Sequence, residues 1–398
     1  MLKFQKLAWA GACVSVALTG LLHGCGGGGT TTASNSNGGV GSGGTGSYTN
    51  GPISGLGSII VNGVRYDVDS ATLLSDDKAS PVSDDLQIGM VVEVDGGAVT
   101  AGTGGAVDTA RAVRVRYASE LVGVVANPVG ASATTEFTVM GQRVLINART
   151  VPLSQPLQAG DVVSVHGLPT AAGEFAATRV DVLASPPAAY KVSGLVSHVD
   201  ATARTIELGQ GPQVVTFSGA MPAGLVVGSY VRVRVTPAAL PNTHWTALSG
   251  GIGVRTQLVS EERRGRLEGV IQNFDASNSG VINGTTVNFT AVRAALGGGS
   301  LNGLRVEVEG LYRSGVLVAD QAELDDDSQP GENELHGRVE LPVTASTFKV
   351  RGITVSYTSS VVEQGLVLAN NVCVEVKGVL QGPSVLQASE VKRDDDCR

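Results

Sequence analysis

The sequence predicts an all-β protein made of small antiparallel barrels repeated in tandem, and three observations predict it. Hydrophobic residues make up 42% of the 398 residues but aromatics only 4%, while glycine occurs 54 times. Cores must then be built from Val, Leu, Ile and Ala, with glycine at close turns, which suits many short strands. A glycine opening a strand recurs about every 70 residues, at Gly51, Gly123, Gly194, Gly269 and Gly337. After each of these glycines come stretches alternating Val with polar residues, the period-2 signature of half-buried strands.

The chain begins with Lys3 and Lys6, followed by an apolar run without charge from Leu7 to Leu22. That run is short for a membrane span and reads as a secretory leader. It closes on Leu21-Leu22-His23-Gly24-Cys25, which resembles the lipobox of bacterial lipoproteins, although His23 stands where a small or hydroxyl residue is usual. The resemblance implies a signal peptide over residues 1–24, cleavage after Gly24 and lipid attachment at the Cys25 thiol. Gly26 after the cysteine, by the same resemblance, implies sorting to the outer membrane, on a face left undetermined. Residues 25–50 are rich in Gly, Ser, Thr and Asn and are expected to form a flexible tether, with a reach on the order of 25–30 Å.

The repeats that follow are expected at residues 51–118, 119–186, 187–257, 262–326 and 334–398. Each opens with the glycine-bearing strand and continues into a hairpin. Ile60-Val61-Asn62-Gly63-Val64 is the clearest case, matched by Met140-Gly141, Asn283-Gly284 and Arg351-Gly352 at the other turns. Asn-Gly between apolar residues is a strong hairpin signal, because a type I′ turn needs positive φ at both central positions. A leucine, a glycine and an alternating strand come next, as in Leu86, Gly89 and Val92-Glu93-Val94-Asp95-Gly96. A last strand, such as Arg179-Val180-Asp181-Val182, completes the unit. The third unit is divergent: its hairpin reads Leu208-Gly209-Gln210-Gly211, and its alternating strand runs into Thr236-Pro237. Five short strands in so few residues predict an antiparallel barrel of OB-like type, a small sandwich having the same pattern. One such unit buries little surface, so partial packing between neighbours is expected.

The run from Gly55 to Asp67, followed by Leu86 to Gly96, resembles bacterial domain-of-unknown-function family 5666. The likeness is specific in the first unit, recognisable in the second, fourth and fifth, and weak in the third. It implies a repeated β module in an envelope protein, found in tandem behind a lipoprotein leader, and carries no catalytic residues with it.

Charge and motif content narrow the function. A formal net charge of -8 and few aromatic rings disfavour nucleic acid as a partner. His166, His198, His244 and His336 fall at unmatched positions, without His-x-His, His-Glu-x-x-His or Cys-x-x-Cys, so they are expected as exposed strand-end residues and no metal site or cofactor is expected. The acidic runs Asp76-Asp77, Asp84-Asp85, Asp325-Asp326-Asp327 and Asp394-Asp395-Asp396 lack calcium-loop spacing. Residues 325–334 have the composition of a solvated linker. Once Cys13 leaves with the leader and Cys25 takes lipid, Cys373 and Cys397 remain, and an oxidising compartment favours a disulfide between them; the rival reading makes Cys373 a small core residue of its strand and leaves Cys397 free in the tail. No nucleophile motif is present, so no catalytic residue is expected. The expectation is a non-enzymatic, lipid-anchored envelope protein acting as a binding or scaffold element, its membrane contact the lipid and its envelope protein or glycan partner unidentified. The alternatives are a specific binder of an oligosaccharide or peptide on an OB-like face, with Trp245 either in that face or in the core, and an envelope enzyme.

Overall fold

The computed structural model describes residues 47–102, 107–130, 134–209, 213–238, 243–254 and 262–395. The leader, Cys25, most of the tether and Cys397 lie outside them. The described chain is all-β, its only helical turns being the short 3-10 pieces Ser83–Asp85 and Ser359–Val361.

One order of strand pairing recurs along the chain. Residues 121–182 show it in full. The opening strand Leu121–Val129 pairs antiparallel with Glu136–Val139, which forms a hairpin with Gln142–Leu145. Gln142–Leu145 lies parallel to the final strand Phe175–Val182, which pairs with Val162–Pro169, and this returns to the opening strand. Five strands thus close on themselves without a free edge, so each backbone N–H and C=O along the ladder finds a partner. Residues 190–254 and 333–393 repeat the order. Residues 47–117 repeat it with an additional strand, Thr72–Ser75, set parallel to Asp108–Tyr117. In residues 264–324 the hairpin meets the opening strand through the bridge Gln272–Val281.

The marker glycines have a steric reason. The hairpin folds over the opening strand, and its turn residue sits on that glycine: a Cβ at Gly51 would overlap Asn62 Oδ1, one at Gly123 would overlap Met140 Sδ, and one at Gly269 would strike Ile282 and Asn283. The turn residues adopt the positive φ expected of them, +47° at Asn62, +52° at Met140, +48° at Asn283 and +52° at Arg351, each followed by a positive-φ glycine. Gly194 differs. A Cβ there would meet only Leu208 Cβ at 3.7 Å and Gly209 N at 3.9 Å, which are ordinary contacts.

The segments lie against one another more closely than a bead-like string would. Segments 121–182 and 190–254 share one apolar cluster that runs from Leu121 through Phe137, Phe175 and Ile206 to Trp245. The opening strand Ser47–Leu56 lies parallel to Arg264–Val270 over Ser47–Asn50, and parallel to Asn333–Glu340 at Gly55–Leu56. The first segment therefore joins the fourth and fifth through main-chain ladders. The strand also begins at Ser47, inside the span expected to be tether, and Tyr48, Thr49 and Asn50 are buried. Tyr48 sits edge-on to Tyr312, the ring centroids 5.9 Å apart, within the fourth segment's core. Ile88 of the first segment and Val151 of the second complete the core of the fifth.

Candidate functional site

A cavity of about 220 Å³ lies where the second, third and fourth segments meet. The second segment contributes its last hairpin turn, from Pro169 through Thr170 to Phe175, held by Gly173 N–H donating to Thr170 O at 3.0 Å. The third contributes Gly194, Ser197 and Gly209, together with Gly228 and Tyr230 at the start of its fourth strand. Gly194 and Gly209 thus line a hollow in the segment whose hairpin departs from the repeat pattern. The fourth segment contributes Gln272 and Asn273.

Two glutamines hold this junction. Gln142 Nε2 donates to Ser193 O at 2.7 Å, tying the second segment to the third. Gln272 Nε2 donates to Thr170 O at 2.7 Å, tying the fourth to the second. Each donation orients its amide, and both Oε1 atoms are left buried without a hydrogen-bond partner. Among the described lining residues no carboxylate, amine, guanidinium or imidazole occurs, and Tyr230 already donates its hydroxyl to Glu120 Oε2 at 2.9 Å. The groove can hold a neutral, partly apolar ligand. Its described lining residues present no acid–base pair and no activated nucleophile.

A second junction, of the first three segments, is closed by charge. Glu120, 1% exposed, receives Arg232 Nη2 at 3.0 Å and Ser193 Oγ at 2.9 Å as well as the Tyr230 hydroxyl. Burial alone would lower the Arg232 pKa, but Glu120 holds it well above its ordinary value. Lys191 pairs with Asp77 and donates to Ser119 O at 3.1 Å. Burial would raise the Asp77 pKa, and the Lys191 ammonium outweighs that and lowers it. Asp76 lies 3.5 Å from Arg232. The run Asp76-Asp77 is thus a docking element.

Residues 325–334 likewise depart from the expected solvated linker. Asp325 pairs with Arg149 of the second segment and, at 2.9 Å, with Arg305, which also takes Asp327 at 2.7 Å. Ser328, Gln329 and Pro330 are exposed.

The histidines divide. His198 and His244 are exposed as expected, whereas His166 and His336 are 3% and 4% exposed. Burial pushes the His166 pKa down to about 4, against the pull of Asp77 and Asp181. His336 stands between two carboxylates, with Nε2 2.5 Å from Glu334 Oε1 and Nδ1 3.0 Å from Asp394 Oδ2. Trp245, 2% exposed, fills the third segment's core and donates Nε1–H to Gln213 Oε1 at 2.8 Å, so it is no part of a binding face. Cys373 is disulfide-bonded. The returning strand passes it at Asp394, whose N–H donates to Cys373 O at 3.2 Å. Cys397, the partner expected for it, lies outside the described residues.

Sequence reasoning missed the groove, the Glu120 centre and the His336 cluster. Gln142 opens a hairpin strand and Gln272 follows the strand Arg264–Val270, with no motif to mark either. The one available signal for the groove was the loss of repeat pattern in the third segment.

A comparison with protein families matches residues 50–104, 122–181, 268–323 and 336–392 to the domain of unknown function DUF5666, which together span more than half of the chain. The chain belongs to the DUF5666 family. The four matched regions fall in the first, second, fourth and fifth segments, and the DUF5666 profile passes over the third, where the hairpin diverges and the groove opens. No curated protein matches the chain.

Proposed function

We propose that this DUF5666 protein is a non-enzymatic outer-membrane lipoprotein, anchored through Cys25, in which five OB-like modules form a rigid binding or scaffold element of the envelope. The strand order supports the OB-like reading, since hairpin, parallel third and fifth strands and closure through the fourth make the five-stranded Greek-key barrel. The leader, lipobox and tether support the anchor. Among the described residues no helix is long and apolar enough to cross a membrane.

The observation that carries a binding role is the groove built by three segments. Rigid walls lower the ordering cost of association, and a site shared by three segments exists only while they stay docked. Its neutral lining and the burial of Phe175 and Tyr230, which leaves little ring face for sugar stacking, favour an extended, uncharged peptide over an oligosaccharide. The test is photo-crosslinking in intact cells from a reactive residue placed at Ser197, with Val385 on the last strand as the remote position. A discrete peptide-containing adduct at Ser197 and none at Val385 is the expected result. Glycan at Ser197 supports the oligosaccharide alternative, and equal capture at both positions supports a scaffold without a dedicated groove ligand. Cys25→Ser releases the protein from the membrane fraction if the anchor is as proposed.

A further inference from the structure

We propose that Glu334, His336 and Glu375 form a site for a divalent cation of the Zn²⁺ class, a role that goes beyond binding in the groove. The strand Asn333–Glu340 places Glu334 and His336 on one face, two residues apart. Its antiparallel partner Cys373–Gly382 sets Glu375 directly opposite His336 and Lys377 opposite Glu334. One ligand atom from each of Glu334, His336 and Glu375 lies within 4.8 Å of the others.

The placement of His336 suits a cation ligand. A neutral imidazole has one N–H and one lone pair. Here a carboxylate oxygen faces each nitrogen, Asp394 at 3.0 Å and Glu334 at 2.5 Å. Asp394 anchors the ring at Nδ1, and Nε2 is the ring atom turned toward Glu334 and Glu375, where a proton or a metal ion can sit between it and the carboxylates. A metal ion there would be held by Nε2 and one oxygen of each glutamate, in place of that proton. Asp394 then plays the part that carboxylates commonly play behind ligating histidines, holding the ring's tautomer and orientation.

The surroundings fit. His336 is deeply buried, whereas the Glu334 and Glu375 side chains are 13% and 24% exposed, which leaves a path from solvent and room for a water ligand. Lys377 Nζ lies 3.6 Å from an oxygen of each glutamate and offsets their repulsion when no ion is bound. One imidazole and two carboxylates suit Zn²⁺ and its neighbours, whereas Ca²⁺ and Mg²⁺ prefer more numerous, all-oxygen ligands. The ion would clamp the fifth segment's first strand to its fourth, beside the place where Gly55–Leu56 of the first segment pairs with Glu334–Leu335.

Full-length, tag-free protein in detergent, stripped with a chelator, is titrated with ZnCl₂ by calorimetry and melted with and without zinc. The expected result is one equivalent bound, a higher melting temperature with zinc, and no comparable response to CaCl₂ or MgCl₂. Glu375→Gln, at the exposed edge of the site, should melt as wild type in chelator and lose roughly tenfold or more in zinc affinity, and Asp394→Asn should weaken binding by about 10–100-fold. Absence of stoichiometric zinc binding overturns the proposal. So does a Glu375→Gln protein that titrates like wild type, since the cluster would then be an ion-pair network alone.

Discussion

Two junctions of the same molecule are built in opposite ways. Where the first three segments meet, Glu120, Arg232 and Lys191 leave water, Glu120 pairing with Arg232 and Lys191 reaching the solvent-facing Asp77, and the space is closed. Where the second, third and fourth meet, neutral amides from Gln142 and Gln272 span the gap, and a cavity of about 220 Å³ stays open. A buried charge is tolerable only with close partners, so charge pairs enforce contact. An amide bridge tolerates a neighbouring void, because a missed hydrogen bond costs far less than an unpaired ion. The contrast teaches where docking closes the space between segments and where it leaves a cavity.

Breaking the charged junction should have the largest effect. Glu120→Gln leaves the Arg232 guanidinium buried, with Asp76 at 3.5 Å and the field of Glu93 as its remaining negative neighbours. The expected loss is about 3–5 kcal/mol in urea unfolding. The double change Glu120→Leu with Arg232→Met should recover part of it, because the pair goes as a whole, while the Ser193 and Tyr230 hydroxyls lose their acceptor and Glu93 a positive neighbour. If Glu120→Gln unfolds like wild type, the pair does not hold the junction.

Acid should open the same junction next. The folded His166 pKa of about 4 lies below the ordinary value of 6.5, so the neutral ring contributes stability above pH 6.5. That contribution is lost as pH falls from 6.5 through 4, up to about 3 kcal/mol, because the unfolded chain takes the proton more readily. His166→Gln should flatten this part of the stability profile, whatever its cost at pH 7. Denaturation midpoints measured between pH 7 and pH 4 give the comparison.

At the amide-bridged junction the effect should be smallest. Gln272→Met removes one hydrogen bond to Thr170 O but also an unpartnered buried Oε1. The two changes oppose each other, and the net loss should stay within about 1 kcal/mol. A thermal shift as large as that of Glu120→Gln would show that the groove wall is as tightly coupled as the charged junction.

The sequence by itself determined the all-β class, the positions of the hairpin turns and the spacing of the repeats. These follow from local sterics: alternation of Val with polar residues sets the faces of a strand, and a residue pair such as Asn62-Gly63 can hold the positive φ of a type I′ turn. Even the marker glycines were legible as positions, although their reason, the turn residue lying on top of them, was visible only in the folded hairpin. Tertiary structure alone decided that Asp76-Asp77 meets Lys191 and Arg232 more than 100 residues away, that the first segment ladders with the fourth and fifth, and that His336 is enclosed by Glu334, Glu375 and Asp394. Polar residues on the outer face of a strand all read alike in sequence, because alternation says which face they occupy and nothing of what covers it. Which of them are solvated, which dock a neighbour and which converge into a site depends on how closed barrels come to rest against one another, through contacts between residues far apart in the chain.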